Sequence, residues 1–515
     1  MKKNLLLLIK LLSLVFILSA CNQTKDSTSQ GNTKETNKNG SSSRYDELAN
    51  MTLTNGYPSE EGIQELKDEL LFQRATQAYL WALPAMNMFA MKEGSERDFG
   101  KGYNILPIWK ERLNAKTLIT TPNSDVIYAL GYLNLKEDGP MVIEAPEGLQ
   151  GILDDFWQRP LVSEGLIEGK KWRADVGLPG PDKGKGGKYL LLPPDYKGTI
   201  PSGYYTYRSG TYGVFVFWRG FFKNPKELTA PVAVMEKTVI YPLGKKDQAK
   251  PMQFPDGSAG SHNMLFPQDG KAFELLSRFI NSEYVNPVDM EMRGVLQSIG
   301  IEKGKPFKPD ARTKDILDKA AKTAFKMGKM IGYDLPNYVE GTRYYKDKQW
   351  LNAFPVNETF TADTYNYINP RISFFAAAYS TSPAMALSME NVGAKYPSAF
   401  RDSDGNFFSG ASSYVLHLPK DVPAALFWSV TLYEPISASG LDNGQPFPSI
   451  NSMDNPVVNK DGTYDFYFGP ESPGEGKNWI KTVTDKGFFV NIRLYGPKKA
   501  FFDQSWQPDD VKKIK

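Results

Sequence analysis

The sequence predicts a mainly β protein with a helical lead-in and a small helical module set between two β regions. Three observations predict it. Aromatic residues make up 13% of the chain and are accompanied by 44 Gly and 36 Pro, a mix that suits pleated strands and tight turns better than a helical bundle. Several runs repeat apolar residues with period two, while the stretch between them repeats at helical spacing. At 515 residues, and with ~100–200 residues per domain, the chain has room for two to four domains, each able to bury a core.

The first residues predict an address. Lys2 and Lys3 precede an apolar run that ends Leu18-Ser19-Ala20-Cys21, which has the basic start, short apolar segment and small residues of a secretory signal. A cysteine directly after that site turns it into a lipoprotein signal, so residues 1–20 are expected to be removed and Cys21 to carry lipid. Lys10 interrupts the run, and its unbroken part is far shorter than the ~20 residues of a spanning helix. Residues 21–44 then consist almost wholly of Ser, Thr, Asn, Gln, Lys and Gly. Such a stretch buries too little surface to offset its ordering entropy and is expected to be a disordered tether. The expected location is the cell envelope, on the extracytoplasmic side of a membrane whose lipid holds Cys21.

Cys21 is the only cysteine, so the body has neither a disulfide nor a thiol nucleophile. The formal charge is +3, but residues 1–44 hold seven basic and two acidic side chains, which leaves the body at −2. A near-neutral body gives no electrostatic footprint for nucleic acid. The lysines at 512, 513 and 515 are expected to be a solvated end rather than a membrane patch.

From Ser59 an amphipathic pattern runs through Ile63, Leu66, Leu70, Leu71 and Ala78 to Trp81, where Pro84 is expected to kink or stop the helix. Strands are expected around Val126–Tyr132, Met141–Glu144, Tyr189–Leu192 and Val214–Trp218, separated by turn-rich segments such as 177–182. That is the pattern of a β-sandwich over residues 45–265. Near Gly270 the texture changes. Ala272–Ile280 is an expected helix, Asn286-Pro287 an N-cap followed by a proline, and Asp315–Ile331 a second helix. Lys319, Lys322, Lys326 and Lys329 fall off its apolar stripe and are expected on a solvated face. This defines a helical module over 266–349.

From about Trp350 to residue 515 strands return. Leu426, Trp428, Val430 and Leu432 alternate with Phe427, Ser429, Thr431 and Tyr433, and Phe488, Val490, Ile492 and Leu494 alternate with Phe489, Asn491, Arg493 and Tyr495. One face of each strand is therefore core, with Leu426, Trp428, Val430, Val490 and Ile492 at its centre. The other face is aromatic and polar, and it needs a cover from the helical module, a second copy of the chain or a ligand.

Several ordered motifs in this last region carry a family likeness: Tyr414-Val415-Leu416-His417-Leu418-Pro419, Phe427 to Tyr433, Asn478-Trp479, Arg493-Leu494-Tyr495-Gly496-Pro497 and Trp506. The region resembles domain-of-unknown-function family 1214. Upstream, Thr121-Pro122-Asn123-Ser124-Asp125-Val126-Ile127-Tyr128 and the aromatic strand between Arg208 and Arg219 resemble family 1254, its usual N-terminal companion. The resemblance implies an envelope protein of mostly unassigned activity, with a sandwich-like N-terminal domain, a small helical domain and a jelly-roll-like C-terminal β-sandwich.

Chemistry is thinly marked. Two histidines, His262 and His417, and no body cysteine cannot build the usual zinc or iron sites without imported carboxylates, so no metal and no cofactor is expected. Asp402-Ser403-Asp404-Gly405-Asn406 has its glycine too early for a calcium loop and fits a turn. There is no Gly-x-Ser-x-Gly elbow, and neither a phosphate-binding nor a dinucleotide-binding glycine pattern occurs. Asp154 and Asp155 stand beside Phe156 and Trp157, but neighbours in a strand point opposite ways and rarely serve one substrate.

What remains is a set of polar residues in aromatic contexts: Asn123, Asp125 and Tyr128, then Tyr367, Arg371, Tyr433, Asp442, Asn443 and Arg493. These are the candidates for a ligand groove, with a cleft expected near Tyr367 and Arg371. The preferred expectation is a lipid-anchored envelope protein that binds a small apolar or aromatic molecule or an envelope component. A cofactor-free hydrolase with a carboxylate base such as Asp125, and a purely structural envelope protein, are the alternatives. A homo-oligomer is compatible with all three.

Overall fold

The computed structural model describes residues 43–352 and 354–514. The signal peptide, Cys21 and all but the last two residues of the tether lie outside the described residues. The chain divides into a short unit ending at Ile63 and a large unit, Gln64–Lys515. In the first, Ser43 and Asp46 form a capping box that starts the helix Arg44–Ala49, satisfying two amides that the helix leaves free. Among the described residues no helix is long and apolar enough to cross a membrane.

The fold is mainly β, with five sheets among the described residues and helices packed on them. In the N-terminal half one antiparallel sheet is ordered Ile127–Asn134, Gly213–Gly220, Gln150–Asp155, Asp175–Val176. A second runs Val239–Pro242, Met141–Ala145, Gly187–Leu192, Tyr205–Arg208, Val162–Ser163. Alternation sends Ile127, Ala129, Val214, Val216 and Trp218 from the first sheet against Met141, Ile143, Tyr189 and Leu191 of the second. The result is the expected sandwich. Gly151 is required at its place in this packing, because a Cβ there would stand 2.0 Å from the Trp218 ring.

The first sheet is covered on both faces. Tyr128, Leu130, Tyr132, Phe215 and Phe217 point away from the sandwich into a second core, which they share with the helices Glu60–Phe99, Lys271–Ser282, Ala311–Tyr333 and Ile368–Phe375. Pro84 does not end the helix. It sits inside the 40-residue helix Glu60–Phe99, whose stretch from Ala75 to Met91 is buried almost continuously. Packing on that scale outweighs the ~3 kcal/mol a mid-helix proline costs. The Pro84 carbonyl also takes a hydrogen bond from Gln158 Nε2 at 2.7 Å. Leu66 and Leu70, expected on the apolar stripe, are exposed.

In the C-terminal half the antiparallel pair Ala424–Tyr433 and Phe489–Pro497 forms the centre of a six-stranded sheet. It faces a four-stranded sheet built around Tyr414–Leu418 and Tyr464–Gly469. Trp428, Val430, Leu432, Val490, Ile492 and Leu494 fill the space between the sheets with Leu416, Phe466 and Ile480. Leu426 does not join them. The register slips between Ala424 and Phe427, a bulge that breaks the alternation and leaves Leu426 65% exposed.

Candidate functional site

The aromatic and polar face of the C-terminal sheet is covered by the N-terminal half, through the segment Thr120–Asp125. The Thr121 amide donates to the Ala438 carbonyl at 2.6 Å. The Tyr433 hydroxyl donates to the Pro122 carbonyl at 2.6 Å. Arg493 Nη2 donates to the carbonyls of Thr121 at 3.1 Å and Pro122 at 3.3 Å. Asn123 Nδ2 donates to the Tyr495 hydroxyl, and Phe427 stacks on Tyr495 with ring centres 4.2 Å apart.

Asp125 is fully buried and both its oxygens are used. Oδ2 accepts from Ser429 Oγ at 2.5 Å and Oδ1 from Asn451 Nδ2 at 3.0 Å, with Arg112 Nη2 at 3.9 Å. Arg112 itself pairs with Asp454 at 2.7 Å. A buried carboxylate that is hydrogen-bonded at both oxygens and faces a cation is compensated. Asn123, Asp125, Tyr433 and Arg493 thus join the two halves, as a hydrogen-bonded seam.

Behind this seam lies a chamber of about 120 Å³. Three sequence-distant regions wall it. The N-terminal sheet contributes Tyr128, Phe217 and Arg219, the helix Ala311–Tyr333 contributes Lys329 and Tyr333, and the segment after Ile372 contributes Phe374 and Tyr379. The C-terminal sheet closes it with Tyr396, Phe400, Phe489, Asn491 and Arg493. Of the candidate residues, Tyr128 and Arg493 line the chamber. A second cavity of about 280 Å³ shares Arg219 and Met385 with it and is lined by Asp175, Leu178, Leu426 and Tyr495.

The remaining candidates are elsewhere. Tyr367 stacks edge-on against Tyr365 outside the chamber. Arg371, on the same helix as Phe374, also stays out of the chamber lining; burial, and next the charge of Arg159, push its guanidinium down to about 10. Asp442 is half exposed and pairs with Lys116 at 2.9 Å, and Asn443 donates to the Lys481 carbonyl at 2.7 Å. The chamber is lined by Phe374 of the Ile368–Phe375 helix and not by Tyr367 or Arg371.

Three chamber residues carry no sequence signal strong enough to single them out. Lys329, expected on a solvated face, is buried, and burial pushes its ammonium down to about 7. Its Nζ donates to the Ala376 carbonyl at 2.7 Å. Arg219 ends the row Phe215, Phe217, Arg219 on one strand face, the single hint that a cation closes an aromatic row. Tyr379 lies in an irregular segment without periodicity.

The other groups considered from the sequence have partners of their own outside the chamber. Asp154 accepts from Ser380 Oγ at 2.8 Å and the Thr381 amide at 3.0 Å, while Asp155 accepts from the amides of Trp157 and Arg159. Burial pushes these two carboxyls up, to about 8 and about 6. Asp402 accepts from the amides of Asp404 and Asn406 and so holds its own turn. His417 meets Asp465 at 2.8 Å and His262 meets Asp98 at 2.9 Å.

A family model described as a protein of unknown function, DUF1254, matches residues 103–242, and a second so described, DUF1214, matches residues 393–499. Among solved structures the chain is similar to the VPA0106 protein of Vibrio parahaemolyticus, at 20% identity over 86% of this chain and 100% of that one, with a TM-score of 0.49. It is also similar to an uncharacterized protein from Burkholderia cenocepacia, at 12% identity over 88% and 97% of the two chains, with a TM-score of 0.36. No curated protein matches it. The chamber is thus lined in part from both matched regions, the one that matches DUF1254 lying N-terminal to the one that matches DUF1214.

Proposed function

We propose that this is an exported envelope protein, held to a membrane by lipid on Cys21, that binds a small molecule with an apolar or aromatic body in the chamber between its two halves. The observation that carries the reading is the chamber's construction. Aromatic side chains from three regions form its walls, with a few fixed polar groups among them, the usual make-up of a small-molecule site. The alternative hydrolase, with a carboxylate base, would need that carboxylate within reach of the ligand. Among the described residues the chamber lining holds no Asp, Glu or His, and Asp125 is spent on Ser429 and Asn451.

The test is a thermal-shift panel of small aromatic and aliphatic compounds, run beside ester, amide and glycoside turnover assays. Binding predicts stabilisation by a subset of the panel with no turnover. Turnover that is lost on Asp125→Asn supports the hydrolase instead, and a chain that neither shifts nor turns over is structural.

The anchor is tested separately, by intact mass of protein extracted from membranes. A mature species beginning at a lipidated Cys21 is expected, since two or more acyl chains hold stably where one does not. A Cys21→Ala protein that still resides in the membrane overturns it.

A further inference from the structure

We propose that the chamber receives the carboxylate of a small organic acid with a compact apolar or aromatic body, and that Arg219, Lys329 and Arg493 hold its charge. This rests on the binding function proposed above and names the chemical class of the ligand.

Three basic side chains line the chamber and, among the described residues, no acid does; a bound carboxylate would hold the Lys329 ammonium charged against the burial that pushes it down to about 7. Each cation is met only by neutral groups. Arg493 donates to two backbone carbonyls and to the Tyr433 hydroxyl, and Lys329 donates to a backbone carbonyl. Arg219 has less. Its Nε is buried with no hydrogen-bond partner among the described residues, its Nη2 meets only Met385 Sδ at 3.8 Å, and its guanidinium lies 4.9 Å from the centre of the Phe217 ring.

Desolvated charge is strongly disfavoured without a counter-charge, and arginine does not shed its proton to escape. The acids within electrostatic reach are already committed. Asp175, which acts on Arg219 from the second cavity, accepts from the Ala384 amide at 3.1 Å. Glu434, which acts on Lys329, accepts from the amides of Ile436 and Ser437 and from the Ser437 hydroxyl. An anion is the component this group of cations lacks, and a carboxylate matches the planar fork of a guanidinium.

Size narrows the class. An apolar cavity of about 150 Å³ admits a benzene ring, so a chamber of about 120 Å³ suits one small ring or a short branched chain. The walls that would take it include Phe217, Phe374, Phe400 and Phe489. Arg219 and Met385 line both the chamber and the second cavity, so Arg219 stands where the two adjoin. Leu178 and Leu426, which line that second cavity, are 75% and 65% exposed.

The experiment is calorimetric titration of the mature protein in detergent with three probes of one shape: benzoate, benzamide and benzylamine. Benzoate is expected to bind at least tenfold tighter than benzamide, and benzylamine weakest. Arg219→Gln and Lys329→Met should each shrink the ratio of benzoate to benzamide affinity from at least tenfold to below about threefold. Equal affinity for benzoate and benzamide overturns the anion inference while leaving the binding function standing. A benzoate preference that survives both substitutions overturns it too, because the charge is then read elsewhere. Absence of binding by all three probes overturns it as well, and the binding function is then judged by its own broader panel. The three-probe comparison needs no variant, so a substitution that fails to fold leaves the inference open to refutation.

Discussion

Buried ionisable side chains are where single residues in this protein matter most. Asp154 is pushed up to about 8, Asp175 and Glu283 to about 7 and Asp155 to about 6, in each case chiefly by burial. Between about pH 4 and pH 8 the folded chain therefore holds protons that the unfolded chain releases, and stability falls as pH rises through that window. Lys329 works the other way, but only above about 7, where the unfolded chain keeps a proton the folded one has lost. The expected result is a melting temperature that declines from pH 5 to pH 7. Asp154→Asn should flatten that decline, because the amide oxygen keeps the bonds from Ser380 and Thr381 while the nitrogen replaces Oδ1, which has no hydrogen-bond partner. An unchanged slope in the variant would show that Asp154 is ionised in the folded protein. Residue chemistry of this kind was only partly legible beforehand. Asp154 and Asp155 stand out in the sequence, yet nothing in the spacing of Lys319, Lys322, Lys326 and Lys329 distinguishes the one lysine that faces inward. All four leave the apolar stripe, and the neighbour that encloses Lys329 arrives from residue 376, far along the chain.

At the scale of elements, period-two patterning located the central strands and their two faces. Trp428, Val430, Leu432, Val490 and Ile492 lie in the core as their alternation implies. What patterning could not convey is the bulge, since an extra residue on one strand is defined only by the partner's register. The two outcomes make a paired prediction. Trp428→Ala should cost about 3–5 kcal/mol, as expected for a buried aromatic truncation, while Leu426→Ala should stay within about 0.5 kcal/mol, as for an exposed position. Denaturant titration of both variants checks it, and comparable losses would mean that the bulge is misplaced. The same limit explains Pro84. Helix-breaking chemistry is local, whereas the burial that carries the helix through to Phe99 comes from sheet and helix faces distant in sequence. The chamber was illegible for this reason as well: three regions converge on it, and one of them, the irregular segment around Tyr379, has no period to read.

For the whole molecule, the likeness to the two families was legible from ordered motifs, and the seam between them was visible as a question about what covers an aromatic sheet face. The cover is a short polar segment, Thr120–Asp125, whose backbone carbonyls and two side chains answer the polar groups of that face. Residues 350–515 expressed alone are expected to keep the core between their two sheets but to leave Phe427 and Tyr495, which pack on Phe221, wet. Such a fragment should bind a hydrophobic dye and self-associate, and a monomeric fragment that ignores the dye would show that the face needs no cover. The seam has a further consequence for how such a chain can change over time. Each half supplies the environment in which the other's surface is tolerable, so a rearrangement that parts them exposes both at once. Gene fission or the swapping of one half for an unrelated module is then penalised by the exposed surfaces alone, and the two regions persist as a matched pair.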